Sequence, residues 1–304
     1  MKTIKLILFY LAILIMGSYS ATGFSSIEKN KLQFIKKQLE RLEASFNGRI
    51  GIYAIDTGNN QKIEYRASER FPIQSTFKVI AVAAILNKSA SDTHLLQQKI
   101  NYKKEDLVFW SPIAEKNSRT GMTISELCAA AIMYSDNTAT NLIMKKLGGS
   151  TTVTAFARSM GDNTFRLDHW EPELNSDPNN LHDTSTPKAM GDSLKNLILG
   201  TVLASSYREQ LVTWMKGNTT GDTKIRAGVP KGWIVADKTG SGDSYGVSND
   251  IAIIWPPNCA PIVLVIYTVQ NKKEAIHHDD IVAVAARIVI SGFSQENACI
   301  SKAN

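Results

Sequence analysis

Histidine and cysteine are scarce in this 304-residue chain, at five and three residues. No two of His94, His169, His182, His277 and His278 stand four apart on a helix, and Cys128, Cys259 and Cys299 lack metal-ligand spacing. The pattern therefore points to no zinc site, and no metal or organic cofactor is expected. Lysines and arginines are scattered, without a long basic run or interleaved aromatics, which argues against nucleic-acid binding. A membrane-spanning run is missing too, because the apolar stretch Leu6 to Met16 is too short to cross a bilayer. Lys2 and Lys5 precede it and small residues follow, so residues 1–23 read as an export signal cleaved after Ser20 or Gly23, leaving no stable membrane anchor. Without Lys2 and Lys5 the formal net charge falls from +6 to +4. An odd cysteine count in an exported chain leaves at least one thiol unpaired or intermolecular.

What remains is ordinary for a globular protein: 43% hydrophobic and 20% charged residues, with ample length for a core. Leu32, Ile35, Leu39, Leu42 and Phe46 recur at helical spacing, with Ser25 or Ser26 as cap and Gly48 as stop. Arg49 to Asp56 and Gln61 to Tyr65 flank a polar turn and read as a hairpin. From Phe71 to about Arg208 the pattern is mostly helical, including Met122 to Met133 and Thr138 to Leu147, the latter ended by Gly148-Gly149. Between Asp168 and Pro187 runs a stretch rich in Asp, Asn and Pro, the kind of long loop that is usually functional. Strands return at Trp233 to Thr239, Ser248 to Trp255 and Pro261 to Gln270, before an amphipathic helix over Ile281 to Ile290. This order predicts an α+β layer built from both ends of the chain and a separate helical lobe, with a cleft between them.

One stretch stands out. Phe71 to Leu86 becomes apolar on every side from Val79 onward, as a helix buried in the middle of a domain does. Yet it carries Lys78 in its first turn, three residues after Ser75, where the two side chains share a face. A serine beside a desolvated lysine at a helix start has a base and free backbone N–H donors at hand. Alone the pair proves little, since one is expected about once in a chain of this length. Ser135-Asp136-Asn137 and Lys238-Thr239-Gly240 follow in order, and Trp170-Glu171-Pro172-Glu173-Leu174-Asn175 lies between those two.

Together these motifs resemble the class A serine β-lactamases. The resemblance runs from about Ser26 to Ile290 and takes in Thr120 to Met122, Phe165 to Asp168 and Asp250 to Trp255. It implies a five-stranded antiparallel sheet flanked by helices plus an all-helical lobe. The mixed lobe would use residues 24–66 and 213–304, and the helical lobe about 67–212, within one catalytic domain of residues 24–304. By the same resemblance Ser75 is the nucleophile, Lys78 bonds it and shuttles a proton, and Ser135 passes a proton to the departing nitrogen with help from Lys238. The backbone N–H groups of Ser75 and Ser241 would form the oxyanion hole. Lys238, Thr239 and Ser241 would bind the substrate carboxylate and Asn137 its side-chain amide, while Glu171 and Asn175 would hold the hydrolytic water. Trp110 matches an aromatic at the cleft mouth. Asp136 reads as structural, Glu173 as solvated, and His277 and His278 as without chemical role.

The chain also departs from the family. Cys128 matches half of a common disulfide whose partner position is Val82, so it is expected to be a buried thiol. The family fold implies a Cys259–Cys299 bond instead. Gln74 and Gly242 occupy positions that many carbapenem-hydrolysing relatives join by a disulfide, which argues against strong carbapenem hydrolysis. Ser241-Gly242-Asp243 resembles members that accept oxyimino-cephalosporins. The usual downstream arginine is absent, and Lys224, with Asp279 as acidic partner, is expected to supply the cation. The arginine–aspartate clamp of the acidic loop becomes His169 facing Asp183, with an expectation that the loop loosens as pH rises through neutrality.

The resemblance implies an enzyme hydrolysing penicillins and cephalosporins through a serine acyl-enzyme; the export signal implies a periplasmic location, or a secreted one if the host lacks an outer membrane, and a monomer is expected because no unaccounted apolar stripe demands a partner. Two alternatives share the motifs, a penicillin-binding DD-peptidase and a β-lactam sensor domain that acylates without turnover. Glu171 and Asn175 argue against the first, because a DD-peptidase need not hydrolyse its penicilloyl ester; a sensor needs a membrane-spanning partner segment, and only the N-terminal apolar run could serve as one.

Overall fold

The computed structural model describes residues 31–303. The expected signal peptide and the cap at Ser25 or Ser26 lie outside the described residues. Residues 31–46 form helix α1, whose Ile35, Leu39 and Phe46 face inward. Strands β1 (Gly48–Asp56) and β2 (Lys62–Tyr65) make the expected hairpin. The sheet is completed by β7 (Ile234–Gly242), β8 (Val247–Trp255) and β9 (Ile262–Gln270), all antiparallel, in the order β2-β1-β9-β8-β7. Two-residue pairs fasten the loops: β3 (Phe71–Pro72) with β6 (Thr184–Ser185), and β4 (Lys99–Ile100) with β5 (Met122–Thr123).

Both faces of the sheet are covered, which is why its strands read as nearly continuous apolar runs. Ile52, Ala54, Leu264, Ile266 and Ile254 pack beneath α1, α9 (Asp279–Glu296) and α10 (Ala298–Ala303). Tyr53, Ile55, Val263, Val265 and Ile253 face the other way and join the core of the helical part. That part contains α2 (Lys78–Ser89), α3 (Ile124–Met133), α4 (Asn137–Leu147), α5 (Ser150–Ser159), α6 (Pro187–Ile198) and α7 (Ser205–Lys216); the short α8 (Ile225–Gly228) lies against α9. Although α6 falls in the span expected to be a separate helical lobe, it packs directly on β1 and β9. One core therefore runs from the sheet into the helices.

α2 sits at the centre, against α3, α4, α5 and α7, and only Asn87 and Lys88 escape burial along it. The expected single helix starts differently: Gln74–Phe77 is a 3-10 turn, tightened by Thr76 Oγ1 donating to the Ile73 carbonyl at 2.6 Å. Side chains at i and i+3 eclipse in such a turn, so Ser75 and Lys78 stay on one side. Thr123 caps α3 through a reciprocal box with Glu126, so α3 begins at Ile124 rather than Met122. Asp136 caps α4 by accepting from Ala139 N at 2.8 Å, which recruits Asn137 into the helix. Gly148 takes the left-handed conformation that ends α4 (φ 107°). Cys259 and Cys299 are bonded, with Cα atoms 5.8 Å apart, and Cys128 is a buried free thiol, as the resemblance implied.

Candidate active site

The 3-10 turn, the α3–α4 loop, the 168–183 loop and the free edge of β7 enclose a cleft of about 610 Å³. Ser75, Trp110, Ser135, Asn137, Glu171, Lys224, Thr239 and Ser241 all line it. Surface grooves of 590 and 680 Å³ exist elsewhere, but neither sets a serine or cysteine against a buried lysine.

At the floor, Glu171 Oε1 lies 3.3 Å from Ser75 Oγ and 2.9 Å from Lys78 Nζ. The expected bond from Lys78 to Ser75 is replaced: the ammonium donates to the Ser135 carbonyl (2.8 Å), Ser135 Oγ (3.3 Å) and Asn137 Oδ1 (2.6 Å). Ser135 reaches these positions because its backbone is left-handed (φ 57°), turning both its carbonyl and its hydroxyl toward Lys78. Lys238 Nζ donates to Ser135 Oγ at 3.1 Å from the other side. A continuous polar path therefore runs Ser75–Glu171–Lys78–Ser135–Lys238. Asp136, fully buried, accepts from Ile113 N and Ala114 N as well as capping α4, which is the structural part read for it.

Burial governs the charges. It pulls Lys78 below the ordinary lysine range, and the adjacent Glu171 and Asp136 only partly restore it. Burial, with Lys78 as a second cation, brings Lys238 down to about 7 against the pull of Asp237 and Asp250. Lys224 is lowered by burial too, opposed by Asp279 and Asp250. Burial and neighbouring Asp237 push Asp250 well up, and its Oδ1 has no hydrogen-bond partner.

At the carboxylate end, Lys224 Nζ approaches Ser241 Oγ (2.8 Å) and Asp279 Oδ1 (3.3 Å). Thr239 Oγ1 pairs with Thr220 Oγ1 at 2.5 Å. His277, read as chemically idle, lines this end of the cleft with Nε2 3.8 Å from Asp279. Gly240 lies where β7 meets the nucleophile turn: a Cβ there would stand 3.1 Å from Ser75 N and 3.0 Å from the Ile73 carbonyl. Any side chain would crowd the N–H groups beside Ser75. At the mouth, Trp110 is half exposed, its indole N–H donating to the Tyr134 carbonyl at 3.1 Å.

Asn175 requires a correction. Its Nδ2 donates to the His182 carbonyl (2.9 Å) and its Oδ1 accepts from Asp177 N (2.8 Å), so the side chain is spent inside the loop and does not line the cleft. Two other residues do more to seat Glu171. Asn141 brackets it, donating to its carbonyl (2.8 Å) and accepting its N–H (3.1 Å). The signal was present, because Asn141 is four residues after Asn137 on α4 and shares its face. Asp183, fully buried, accepts from Asp168 N, His169 N, Asn175 N and His169 Nδ1. The His169 contact, at 2.6 Å, ties the start of the loop to the same carboxylate.

Comparison with known proteins agrees with this geometry. A model of the beta-lactamase enzyme family matches residues 34–292. The chain is 57% identical over 260 residues to beta-lactamase Toho-1 of Escherichia coli, covering 85% of this chain and 89% of that protein. It is 49% identical over 276 residues to the carbapenem-hydrolyzing beta-lactamase KPC of Klebsiella oxytoca, covering 90% and 94%. Among solved structures, a beta-lactamase from Desulfarculus baarsii DSM 2075 superposes with a TM-score of 0.83 at 45% identity, over 85% of this chain and 96% of that one.

Proposed function

The chain belongs to the beta-lactamase enzyme family, among its class A serine members, and from that premise we propose how its cleft opens and releases a β-lactam. The reaction is hydrolysis of the lactam amide through a serine acyl-enzyme. Ser75 Oγ attacks the lactam carbonyl carbon as its proton moves to Glu171. The tetrahedral oxyanion is held by the Ser75 and Ser241 N–H groups. As the C–N bond breaks, Ser135 protonates the nitrogen and is reprotonated from Lys78, to which Glu171 returns the proton it took from Ser75, so that Glu171 is ionised again. Glu171 then takes a proton from water as the oxygen attacks the ester carbonyl, and the C–O bond to Ser75 breaks as Glu171 passes that proton to the serine oxygen, restoring both residues.

One observation carries this assignment: Glu171 Oε1 is within reach of both the serine hydroxyl (3.3 Å) and the lysine ammonium (2.9 Å). Burial supports Lys78 as a proton carrier, because it weakens the lysine's hold on its proton. Lys238, Thr239, Ser241 and Lys224 would receive the substrate carboxylate, Asn137 the side-chain amide, and Trp110 the side chain at the mouth. Penicillins and cephalosporins are the substrates. Gln74 and Gly242 offer no disulfide, so weak carbapenem turnover is expected despite the similarity to KPC. We further propose a monomeric, periplasmic protein free of nucleic acid and membrane anchor. No helix among the described residues is long and apolar enough to cross a membrane.

Mixing the purified protein with excess chromogenic cephalosporin tests the reading. Continuous turnover is expected, and Glu171→Gln should acylate slowly and stop after one equivalent, as a stable acyl-enzyme adduct on Ser75. Continuous turnover by the variant would remove Glu171 from deacylation. A single burst from the unaltered protein would instead favour a DD-peptidase or a sensor.

A further inference from the structure

The loop that carries Glu171 folds so that its two ends meet, and there the rings of His169 and His182 have centroids 5.3 Å apart with planes inclined at 54°. Each ring turns Nδ1 toward a carboxylate, hydrogen-bonded in His169 and, in His182, at ion-pair distance with the hydrogen bond going to Arg166. His169 Nδ1 lies 2.6 Å from Asp183 Oδ2, and His182 Nδ1 lies 3.3 Å from Asp168 Oδ1. Neither Nε2 has a hydrogen-bond partner among the described residues, and the two side chains are 41% and 44% exposed. A carboxylate on one imidazole nitrogen is the arrangement that fixes the tautomer and readies the other nitrogen to bind a metal. Tetrahedral coordination at Zn–N distances of about 2.0–2.1 Å places two imidazole centroids about 5 Å apart, which matches the observed spacing.

We propose that His169 and His182 form a clasp for a borderline divalent transition-metal ion of the zinc, nickel or copper type, which ties the two ends of the loop together. The local charge favours a cation. Asp168 and Asp183 face the pair, and the positive group in contact with His182, Arg166, is held by both oxygens of Asp168 at 2.8 and 3.0 Å. Arg166 also comes within 3.2 Å of His182 Nδ1; metal binding selects the tautomer in which that nitrogen instead donates to Asp168. Among the described residues no group of three or more histidines, cysteines and carboxylates is placed to hold one ion, so water completes the shell and the ion exchanges. Sequence spacing could not reveal this pair, because the turn of the loop brings the rings together.

The test uses the untagged full chain, stripped with chelator and titrated with zinc chloride. Calorimetry should give one ion per chain, and 15N imidazole spectra should show the Nε2 signals of both His169 and His182 shifting on saturation. Amides of residues 169–182 should gain hydrogen-exchange protection. His182→Gln, at an exposed position, should lower affinity about tenfold or more. Equal affinity in that variant, shifts confined to His94, His277 or His278, or unchanged exchange in the loop would each overturn the clasp. The spectra of the unaltered protein decide the matter even if the variant fails to fold. None of these readouts involves turnover, so the result is independent of the roles given to Ser75 and Glu171.

Discussion

The ammonium of Lys224 stands 3.3 Å from the Asp279 carboxylate and only 2.8 Å from the Ser241 hydroxyl, so one buried cation joins helix α9 to the edge of β7. Lysine offers a point charge where an arginine would grip with two N–H bonds. Lys224→Ala should raise KM for benzylpenicillin about tenfold or more, the worth of one charge-assisted hydrogen bond, with a smaller change in kcat. Steady-state kinetics decides this, and unchanged KM and kcat would remove Lys224 from substrate binding.

Lys238 titrates near 7 in the free protein, and only its charged form attracts a substrate carboxylate. kcat/KM should therefore fall as pH rises through about 7, and Lys238→Arg should flatten that limb. Stability runs the other way. Between about 7 and the ordinary lysine value of about 10.4 the unfolded chain holds the proton and the native chain does not, so this group's contribution to stability rises with pH. Rate profiles and denaturant melts across pH 6 to 10 should move in opposite directions.

Asp183 gathers four N–H donors at the base of the Glu171 loop. Asp183→Ala leaves those buried donors without an acceptor, each bond to a charged group being worth about 1.5–3 kcal/mol. The acyl-enzyme should accumulate and kcat should drop about tenfold or more, while acylation in a stopped-flow burst stays fast. Mass spectrometry of the quenched reaction would show the adduct. A burst slowed in proportion to kcat would mean that the loop serves acylation equally.

The Cys259–Cys299 bond fastens α10 beside the start of β9. Peptide mapping without reduction should find the two linked and Cys128 free. Replacing both bonded cysteines with serine should cost about 2–4 kcal/mol if the whole domain feels the link. If only α10 detaches, exchange will quicken at residues 298–303 and the global melt will hardly move.

Much of this was legible in the sequence because the chemistry demands particular residues at fixed spacing. Ser75–Lys78, Ser135–Asn137 and Lys238–Thr239 each occupy a turn or strand edge whose local geometry their own residues create. The sheet strands were readable because both faces are buried, which leaves long apolar runs. What escaped was set at a distance. Asn175 belongs to a motif that elsewhere reaches water, but here the loop's own donors and carbonyls capture it. Asn141 and the position of His277 depend on which loop packs against them. The start of α2 slipped because a 3-10 turn and the first turn of an α-helix share the same i,i+3 signature.

β1 and β9 lie side by side, although their residues, 48–56 and 262–270, come from opposite ends of the described chain. β1 therefore has only its hairpin partner β2 until nearly the whole polypeptide has left the ribosome. Such long-range pairing also closes slowly once it can begin. Lys238 on β7 is joined to the rest of the sheet only through β8 and β9, so a growing chain carries its serine long before it can use it. Synthesis thus passes through an extended interval without a closed sheet, the state that the proposed export through a narrow channel would require.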